Sequence, residues 1–146
     1  MPDAGPERCP GACDTRLVDP RNSAEELERT IERYNDAWNA HDVDAILAFH
    51  GPGMVFENHT AGDRVEGADV GPHIARIFDR TPDLAFTGRR LYARDGLVVS
   101  EWTARATDGS GRRIEWDGID VFPFENGLIL RKDVYSSSHH PRVLDE

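Results

Sequence analysis

The sequence predicts an α+β fold in which helices precede a meander of long antiparallel strands. The first half holds an amphipathic stretch whose apolar residues Leu27, Ile31, Tyr34 and Trp38 recur at helical spacing. The second half holds runs rich in Val, Ile, Leu and aromatic residues, separated by short spacers that contain Gly. Helices followed by strands in this way are typical of about three N-terminal helices packed on one face of a curved sheet.

Two helices are predicted first. Ser23 and Glu26 form a capping-box pair that begins the first helix, over about residues 24–40. Asp42 can cap a shorter second helix, which we expect to end at the Gly-Pro-Gly breaker of residues 51–53.

A short strand over residues 54–58 and a third helix come next. Pro72 is tolerated in a first helical turn, and Phe78 lies on the apolar face of this helix, which ends before residues 81–82. The four long runs that follow are joined by spacers typical of hairpin turns. These spacers are residues 94–96, 108–111 and 125–127.

One domain accounts for the chain of 146 residues. We expect it to span residues 23–138, between a flexible Pro-rich tail of residues 1–22 and a C-terminal tail of residues 139–146. Cys9 and Cys13 lie in the first tail, with no histidine nearby to complete a zinc site. They are expected to be surface thiols, with a redox clip as the alternative.

Charge and composition argue against several classes of partner. A net charge of −10 repels nucleic acid and anionic lipid surfaces. No run is apolar enough for a membrane span or a signal peptide, so we expect a cytoplasmic protein. The sequence shows no nucleophile elbow, phosphate loop or metal-spaced cluster, and neither a cofactor nor a metal is expected.

Asp120 is the main candidate for chemistry. Because strand side chains alternate between faces, it shares the more aromatic face of its strand with Trp116 and Phe122. If that face is covered, burial raises the pKa of the carboxyl, and a neutral carboxyl can donate a hydrogen bond. The alternative is that Asp120 pairs with an arginine or caps a backbone group.

Other polar residues are weaker candidates, each with an ordinary structural alternative. Tyr34 lies in the apolar stripe of the first helix and needs a partner for its hydroxyl once buried. Asn58 follows an apolar strand and either orients a substrate or caps the loop that begins there. His59 and His73 flank this loop and are either general bases or exposed side chains.

Three segments resemble the nuclear transport factor 2-like superfamily, and its ketosteroid isomerases and SnoaL-like polyketide cyclases most of all. They are residues 34–42, 54–58 and 116–122, and the resemblance extends over about residues 24–138. It implies a cone-shaped barrel, a curved sheet wrapped around helices, with an apolar pocket open at one end. It also implies a homodimer formed through the outer face of the sheet.

The resemblance assigns roles to three residues. Tyr34 falls on the isomerase tyrosine that hydrogen-bonds the steroid oxygen, and Asp120 falls on the protonated aspartic acid beside it. The isomerase base falls on Asn58, whose amide cannot take a proton from carbon. Classical steroid isomerisation would therefore need Glu57, His59 or His73 as the base.

Two other branches match less well. Limonene epoxide hydrolase has its water-holding tyrosine and asparagine at Phe56 and Asn58, but its charged triad falls on Trp102, Ala104 and Val134. The catalytic aspartate of the cyclases also falls on Val134. Asp133, one residue away, faces the other side of the sheet unless a bulge near residues 126–127 shifts the register.

The sequence therefore predicts a cofactor-independent enzyme that isomerises, cyclises or dehydrates an apolar, oxygen-bearing small molecule of polyketide or steroid type. Tyr34, Asp120 and Asn58 are the expected catalytic residues. The alternative is a non-catalytic small-molecule-binding or assembly module of the same fold. Substrate contacts are expected from Trp38, Phe56, His73, Phe78, Trp102, Trp116 and Phe122.

Overall fold

The computed structural model describes residues 19–144, so Cys9, Cys13 and most of the predicted N-terminal tail lie outside the described part. Its helices are α1 (Ala24–Asn39), α2 (Val43–Leu47) and α3 (Val70–Arg80), with single 3-10 turns at Pro20–Asn22 and Gly67–Asp69. Its strands are β1 (His50–Asn58), β2 (Asp63–Glu66), β3 (Ala85–Arg94), β4 (Leu97–Thr107), β5 (Arg113–Glu125), β6 (Leu128–Ser136) and β7 (Arg142–Val143).

The strands form one curved, mostly antiparallel sheet in the order β2-β1-β6-β5-β4-β3, and β7 pairs with β5. Among the strand pairs of residues 19–144, β1–β6 alone is parallel. The predicted α+β class is confirmed, but the sheet is not closed, so the expected barrel is an open half-cone with β2 and β3 at its edges. Helix α1 packs on β3 and β4 and covers the concave face.

The predicted helix signals act as expected. The Ser23 hydroxyl accepts a hydrogen bond from the Glu26 amide, and the Asp42 carboxylate accepts one from the Ala45 amide. The apolar stripe of α1 is buried, including Tyr34 and Trp38. Amphipathic spacing was thus sufficient to predict which face of α1 enters the core.

The breaker at residues 51–53 does not end α2 but lies inside β1, which begins four residues earlier than expected. Pro52 and Gly53 fall where the β1–β6 register shifts between His50 and Val55, and Gly53 has a φ of +68°. A proline and a left-handed glycine are tolerated at such an irregularity because no regular ladder bond is required there.

A bulge in β6 determines which of its side chains enter the core. Val121 pairs with Asp133 and Phe124 pairs with Ile129, so β6 has one more residue than β5 between these two positions. Ile129, Lys132 and Val134 are all buried, although uninterrupted alternation cannot place Ile129 on the same face as the other two. The bulge therefore turns Lys132 inward.

Residues on both sides of the predicted domain join it. The Asn22 carboxamide oxygen accepts a hydrogen bond of 2.7 Å from the Gly127 amide, and the Asn22 carbonyl accepts one of 2.9 Å from the Gly96 amide. At the other end, β7 adds Arg142 and Val143 to the edge of β5. Asn22 was expected in one tail and β7 in the other, so the folded unit extends beyond residues 23–138.

We expect Asn22→Ala to lower the free energy of unfolding by about 1 kcal/mol, because the Gly127 amide loses its acceptor. Urea denaturation measures this loss. Asn22→Asp retains an acceptor oxygen and is the matched control, expected to lose less. Equal losses in both variants would mean that the side-chain bond is not the stabilising contact.

Candidate functional site

Two adjoining cavities, of about 210 and 180 Å³, lie between the helices and the concave face of the sheet. Five residues line both of them: Trp38, Phe86, Trp102, Asp120 and Lys132. The point where the cavities meet is therefore an aromatic chamber that contains one acidic and one basic side chain.

Asp120 projects from β5 into this chamber. It is buried, and its cross-strand partners are Ser100 on β4 and Val134 on β6. Burial raises the pKa of its carboxyl, while the Lys132 ammonium and the Trp102 indole favour the charged form. Its Oδ1 atom is buried and accepts no hydrogen bond from the described residues.

Lys132 is the basic partner, with its Nζ atom 3.7 Å from Asp120 Oδ2. The ammonium lies 3.8 Å from the centroid of a Trp38 ring, within the range of a cation–π contact. Burial lowers the pKa of Lys132, and the neighbouring Asp120 carboxylate opposes this. The ion pair has lost most of its water and is held mainly by its own attraction and by aromatic faces.

Lys132 is not among the site residues predicted from the sequence. Strand alternation alone does not predict that Lys132 faces inward. The bulge after Ile129 shifts by one residue which side chains of β6 face the core. A simpler signal was available: Lys132 is the only lysine in the chain. A basic residue type used once, on a strand of otherwise apolar inward positions, is a reason to expect a specific role.

Tyr34 is fully buried, and its hydroxyl lies 2.9 Å from His50 Nε2. It is absent from the lining of either cavity, and Tyr34 and Asp120 are not hydrogen-bonded to each other. Burial is the main cause that lowers the pKa of His50, to about 4, and the nearby Lys132 cation is the second. The imidazole is therefore neutral at ordinary pH. The structure therefore pairs the Tyr34 hydroxyl with a histidine that the sequence analysis did not single out.

Asn58 lines the second cavity at the end of β1. Its carboxamide oxygen accepts hydrogen bonds from the amides of Thr60 and Ala61, at 3.1 and 3.0 Å. This is the loop-capping arrangement that was the alternative to substrate binding. The amide nitrogen makes no hydrogen bond to the described residues and is the group left to contact a ligand.

The aromatic candidates divide into two groups. Phe78 and Phe122 are buried core residues outside both cavity linings, contrary to the expectation that they contact substrate. Phe78 stacks on His41 with ring centroids 4.1 Å apart, and Phe122 packs edge-on against Tyr34. The candidates that do line a cavity are Trp38, Phe56, His73, Trp102 and Trp116.

His59 and Asp133 lie away from the cavities. His59 Nε2 is 2.9 Å from Asp133 Oδ1, and its ring stacks on Tyr135, which is exposed. Glu57, His59 and Asp133 could approach one cation, but Arg131 already forms ion pairs with both carboxylates. The register change that would have brought Asp133 into the pocket is absent: Val134 faces inward.

Gly118 makes room for the Trp102 ring on the sheet side of the chamber. It lies opposite Trp102 in the β4–β5 ladder, and an added Cβ would overlap the indole ring. We expect Gly118→Ala to lower the free energy of unfolding by about 1–3 kcal/mol through overpacking, measurable by urea denaturation. Gly88→Ala, where an added Cβ has open space, is the matched control. If Gly118→Ala left the free energy of unfolding unchanged, the Trp102 ring would be shown to move freely.

A family model described as the SnoaL-like domain matches residues 31–132, most of the chain, from within α1 to the middle of β6. The chain belongs to the SnoaL-like domain family. This confirms the superfamily resemblance, and the match includes Tyr34, Asn58, Asp120 and Lys132. Comparison with curated proteins finds no match.

Solved structures share the fold of this SnoaL-like domain at low sequence identity. The epoxide hydrolase/cyclase-like enzyme SalBIII, described as having a role in pyran ring formation in the polyether salinomycin, is 20% identical with a TM-score of 0.72 over 82% of this chain and 97% of its own. An LEH-like epoxide hydrolase of M. tuberculosis is 23% identical with a TM-score of 0.68, over 80% and 86%.

An NTF2-like protein of unknown function from Burkholderia pseudomallei K96243 is 18% identical with a TM-score of 0.69, over 77% of this chain and 91% of its own. These likenesses show the fold alone, and they assign no particular reaction. Among the described residues, no helix is both long and apolar enough to cross a bilayer.

Proposed function

We propose that this SnoaL-like domain is an enzyme that moves a proton on an apolar, oxygen-bearing small molecule, with Asp120 and Lys132 as the acid–base pair. The observation that carries the proposal is the buried Asp120–Lys132 pair at the meeting point of two aromatic cavities. Isomerisation, cyclisation and dehydration each need such a transfer. No cofactor enters the proposed reaction.

The two charges support proton transfer because burial acts against both of them. Desolvation raises the pKa of Asp120 and lowers the pKa of Lys132, so the energies of the ion pair and of the neutral pair approach each other. A proton can then move between the pair and a bound substrate at low cost. Either residue, once protonated, can donate to a substrate oxygen and stabilise negative charge that develops on it.

The other cavity residues have binding roles in this proposal. The free amide nitrogen of Asn58 and the imidazole of His73 face the second cavity and would contact polar groups of the substrate. Tyr34 would act indirectly: its ring lies 5.2 Å from Lys132 Nζ, and its hydroxyl holds His50. A homodimer and a cytoplasmic location stay predictions from the sequence.

Deuterium exchange tests the proposal without requiring the natural substrate. The probe is 2-tetralone, an apolar bicyclic ketone, and ¹H NMR in D₂O follows the loss of its α-proton signals. The wild-type protein should accelerate this exchange, and Asp120→Asn/Lys132→Met should reduce the acceleration by about a hundredfold or more, as for loss of a positioned acid–base group. The double variant removes both charges together and leaves neither one buried alone.

Asp117→Asn is the matched control, because Asp117 lies on the same strand but its carboxylate binds Arg142 on the outer face. It should exchange 2-tetralone at the wild-type rate. Binding without exchange, seen as quenching of tryptophan fluorescence in the wild-type protein, would contradict the proposal and favour the binding-module alternative. The amide at Asn58 and the occupied Tyr34 hydroxyl are the observations that favour that alternative.

A further inference from the structure

The basic residue at position 132 is a lysine and not an arginine, and this difference indicates which kind of bond the site can form with a ligand. The chain has 17 basic residues of the Lys and Arg types, and all of them except Lys132 are arginine. The exposed ion pairs of the described residues accordingly use arginine, as in Arg105–Glu115 and Arg142–Asp117. Lysine occurs only where the side chain is buried in the chamber.

An arginine would serve as well or better if position 132 needed only a fixed positive charge. A guanidinium stays charged, forms two parallel hydrogen bonds to a carboxylate and stacks on aromatic rings. A lysine amine differs in one chemical respect: it can lose its proton and attack carbon. Desolvation in an apolar pocket is the environment that activates a lysine for this reaction.

The position of Nζ leaves it accessible to a ligand. Lys132 lines both cavities, so a molecule in either one can reach the amine. At 3.7 Å from Asp120 Oδ2 the contact is an ion pair longer than a hydrogen bond, and among the described residues Lys132 donates no hydrogen bond. Attack on a ligand would therefore break no protein hydrogen bond.

We propose that Lys132 forms an imine with the carbonyl carbon of an apolar aldehyde or ketone bound in the chamber, with Asp120 carrying the protons. This inference rests on the proposed function, because it assigns the substrate class to the same site. It makes Lys132 a nucleophile and Asp120 its acid–base partner.

The reaction begins with transfer of one proton from the Lys132 ammonium to the Asp120 carboxylate. The amine lone pair then forms the new C–N bond, and the carbonyl π electrons move to oxygen, which takes the proton from Asp120 to give a carbinolamine that is still protonated on nitrogen. The C–O bond breaks next, and the hydroxyl leaves as water with a second proton that Asp120 relays from the nitrogen. The product is an imine, or an iminium when its nitrogen stays protonated, and hydrolysis reverses every step.

The surroundings of Nζ suit the iminium as well as the ammonium. Both are cations at nearly the same point, so the Trp38 ring at 3.8 Å and the Asp120 carboxylate stabilise either one. The iminium also withdraws electrons from the neighbouring carbon and makes its C–H acidic. Asp120, left as a carboxylate, is placed to remove that proton.

Reductive trapping tests this inference on the wild-type chain. The protein is incubated at neutral pH with benzaldehyde and sodium cyanoborohydride, and mass spectrometry with peptide mapping locates the benzyl group. Benzaldehyde has no α-proton and can report only on imine formation. Because the chain has one lysine, the alternative amine to be distinguished is the chain terminus.

An exposed lysine supplies the comparison. Arg113→Lys/Lys132→Met has its only lysine at an exposed position of β5. Lys132 of the wild-type chain should be trapped about tenfold faster or more than this exposed lysine, because burial in an apolar chamber favours the free, nucleophilic amine.

Two results would contradict imine formation at Lys132. One is trapping of Lys132 no faster than of the exposed lysine. The other is no trapping although benzaldehyde binds, as shown by quenching of tryptophan fluorescence, and this leaves the acid–base function standing. Loss of 2-tetralone exchange is a separate result that contradicts the proposed function, so the two failures are distinguishable.

Discussion

Asp120→Asn is expected to lower the free energy of unfolding by about 3–5 kcal/mol at neutral pH, because it leaves the Lys132 ammonium buried without its counter-ion. Urea denaturation measures the loss. Asp120→Asn/Lys132→Met should recover most of it, since removing both charges also removes the cost of burying them. Lys132→Met completes the double-mutant cycle, and the loss in the double variant minus the sum of the two single losses gives the coupling energy between the two charges.

The loss in Asp120→Asn should also depend on pH in a known direction. Without the carboxylate, the pKa of Lys132 in the folded state lies below its ordinary value of 10.5, so the unfolded chain binds more protons between these two values. The variant should therefore regain stability as pH rises from 7 towards 10.5, relative to the wild type, and lose it again on return to pH 7.

The double variant is the control for this pH effect, because it has no buried lysine to titrate. Its stability relative to Asp120→Asn should fall with rising pH as the single variant recovers. A loss under 1 kcal/mol in Asp120→Asn, with no gain in the double variant, would contradict the buried ion pair.

The elements that sequence predicted well are those whose local signals agree with their tertiary setting. The cap at Ser23 and the apolar stripe of α1 predicted a helix and its buried face, and both are observed. The Asn126-Gly127 spacer forms a tight turn in which both residues have positive φ, at +55° and +76°. These features depend on residues close together in sequence, which is why a single sequence reveals them.

Strand alternation predicted the inward-facing residue of the site correctly on β5 but not on β6. Alternation along β5 runs from Ile114 to Phe124 without interruption, and the structure places Asp120 on the buried face. On β6 the bulge after Ile129 inserts one residue, and a bulge is set by pairing with both neighbouring strands rather than by local sequence. Lys132 was missed for this physical reason.

The partner of the Tyr34 hydroxyl could not be predicted either. His50 was placed at the end of a helix, because the breaker at residues 51–53 obscures the start of β1. Once β1 begins at His50, its imidazole comes within 2.9 Å of Tyr34. Predicting contacts between side chains on different elements requires the strand register. Here the β1–β6 and β5–β6 registers each contain one irregularity.

Asn58→Asp is expected to add a second base to the site and so to speed a steroid-isomerase type of reaction. Asn58 lines the same cavity as Asp120 and Lys132, which can stabilise an enolate oxygen. A carboxylate at position 58 can keep the hydrogen bonds from the Thr60 and Ala61 amides, which lower its pKa and hold it ionised and in place. It supplies a general base of the kind that an amide cannot provide.

The probe is cyclohex-3-enone, a β,γ-unsaturated ketone small enough for a cavity of about 180 Å³. Conversion to the conjugated ketone is followed by ultraviolet absorbance, and Asn58→Asp should exceed the native rate by about a hundredfold or more. Asn35→Asp, which adds a carboxylate to the other cavity, is the matched control and should gain nothing.

Each contrary result would point to a different correction. Native activity that survives in Asp120→Asn/Lys132→Met would mean that another base is present, with His73 the candidate because it lines this cavity whereas His59 lies on the outer face. No gain in Asn58→Asp, with the ketone still quenching tryptophan fluorescence, would mean that position 58 does not face the α-carbon. In that case the isomerase analogy would be wrong, and the chemistry of the site would rest on Asp120 and Lys132 alone.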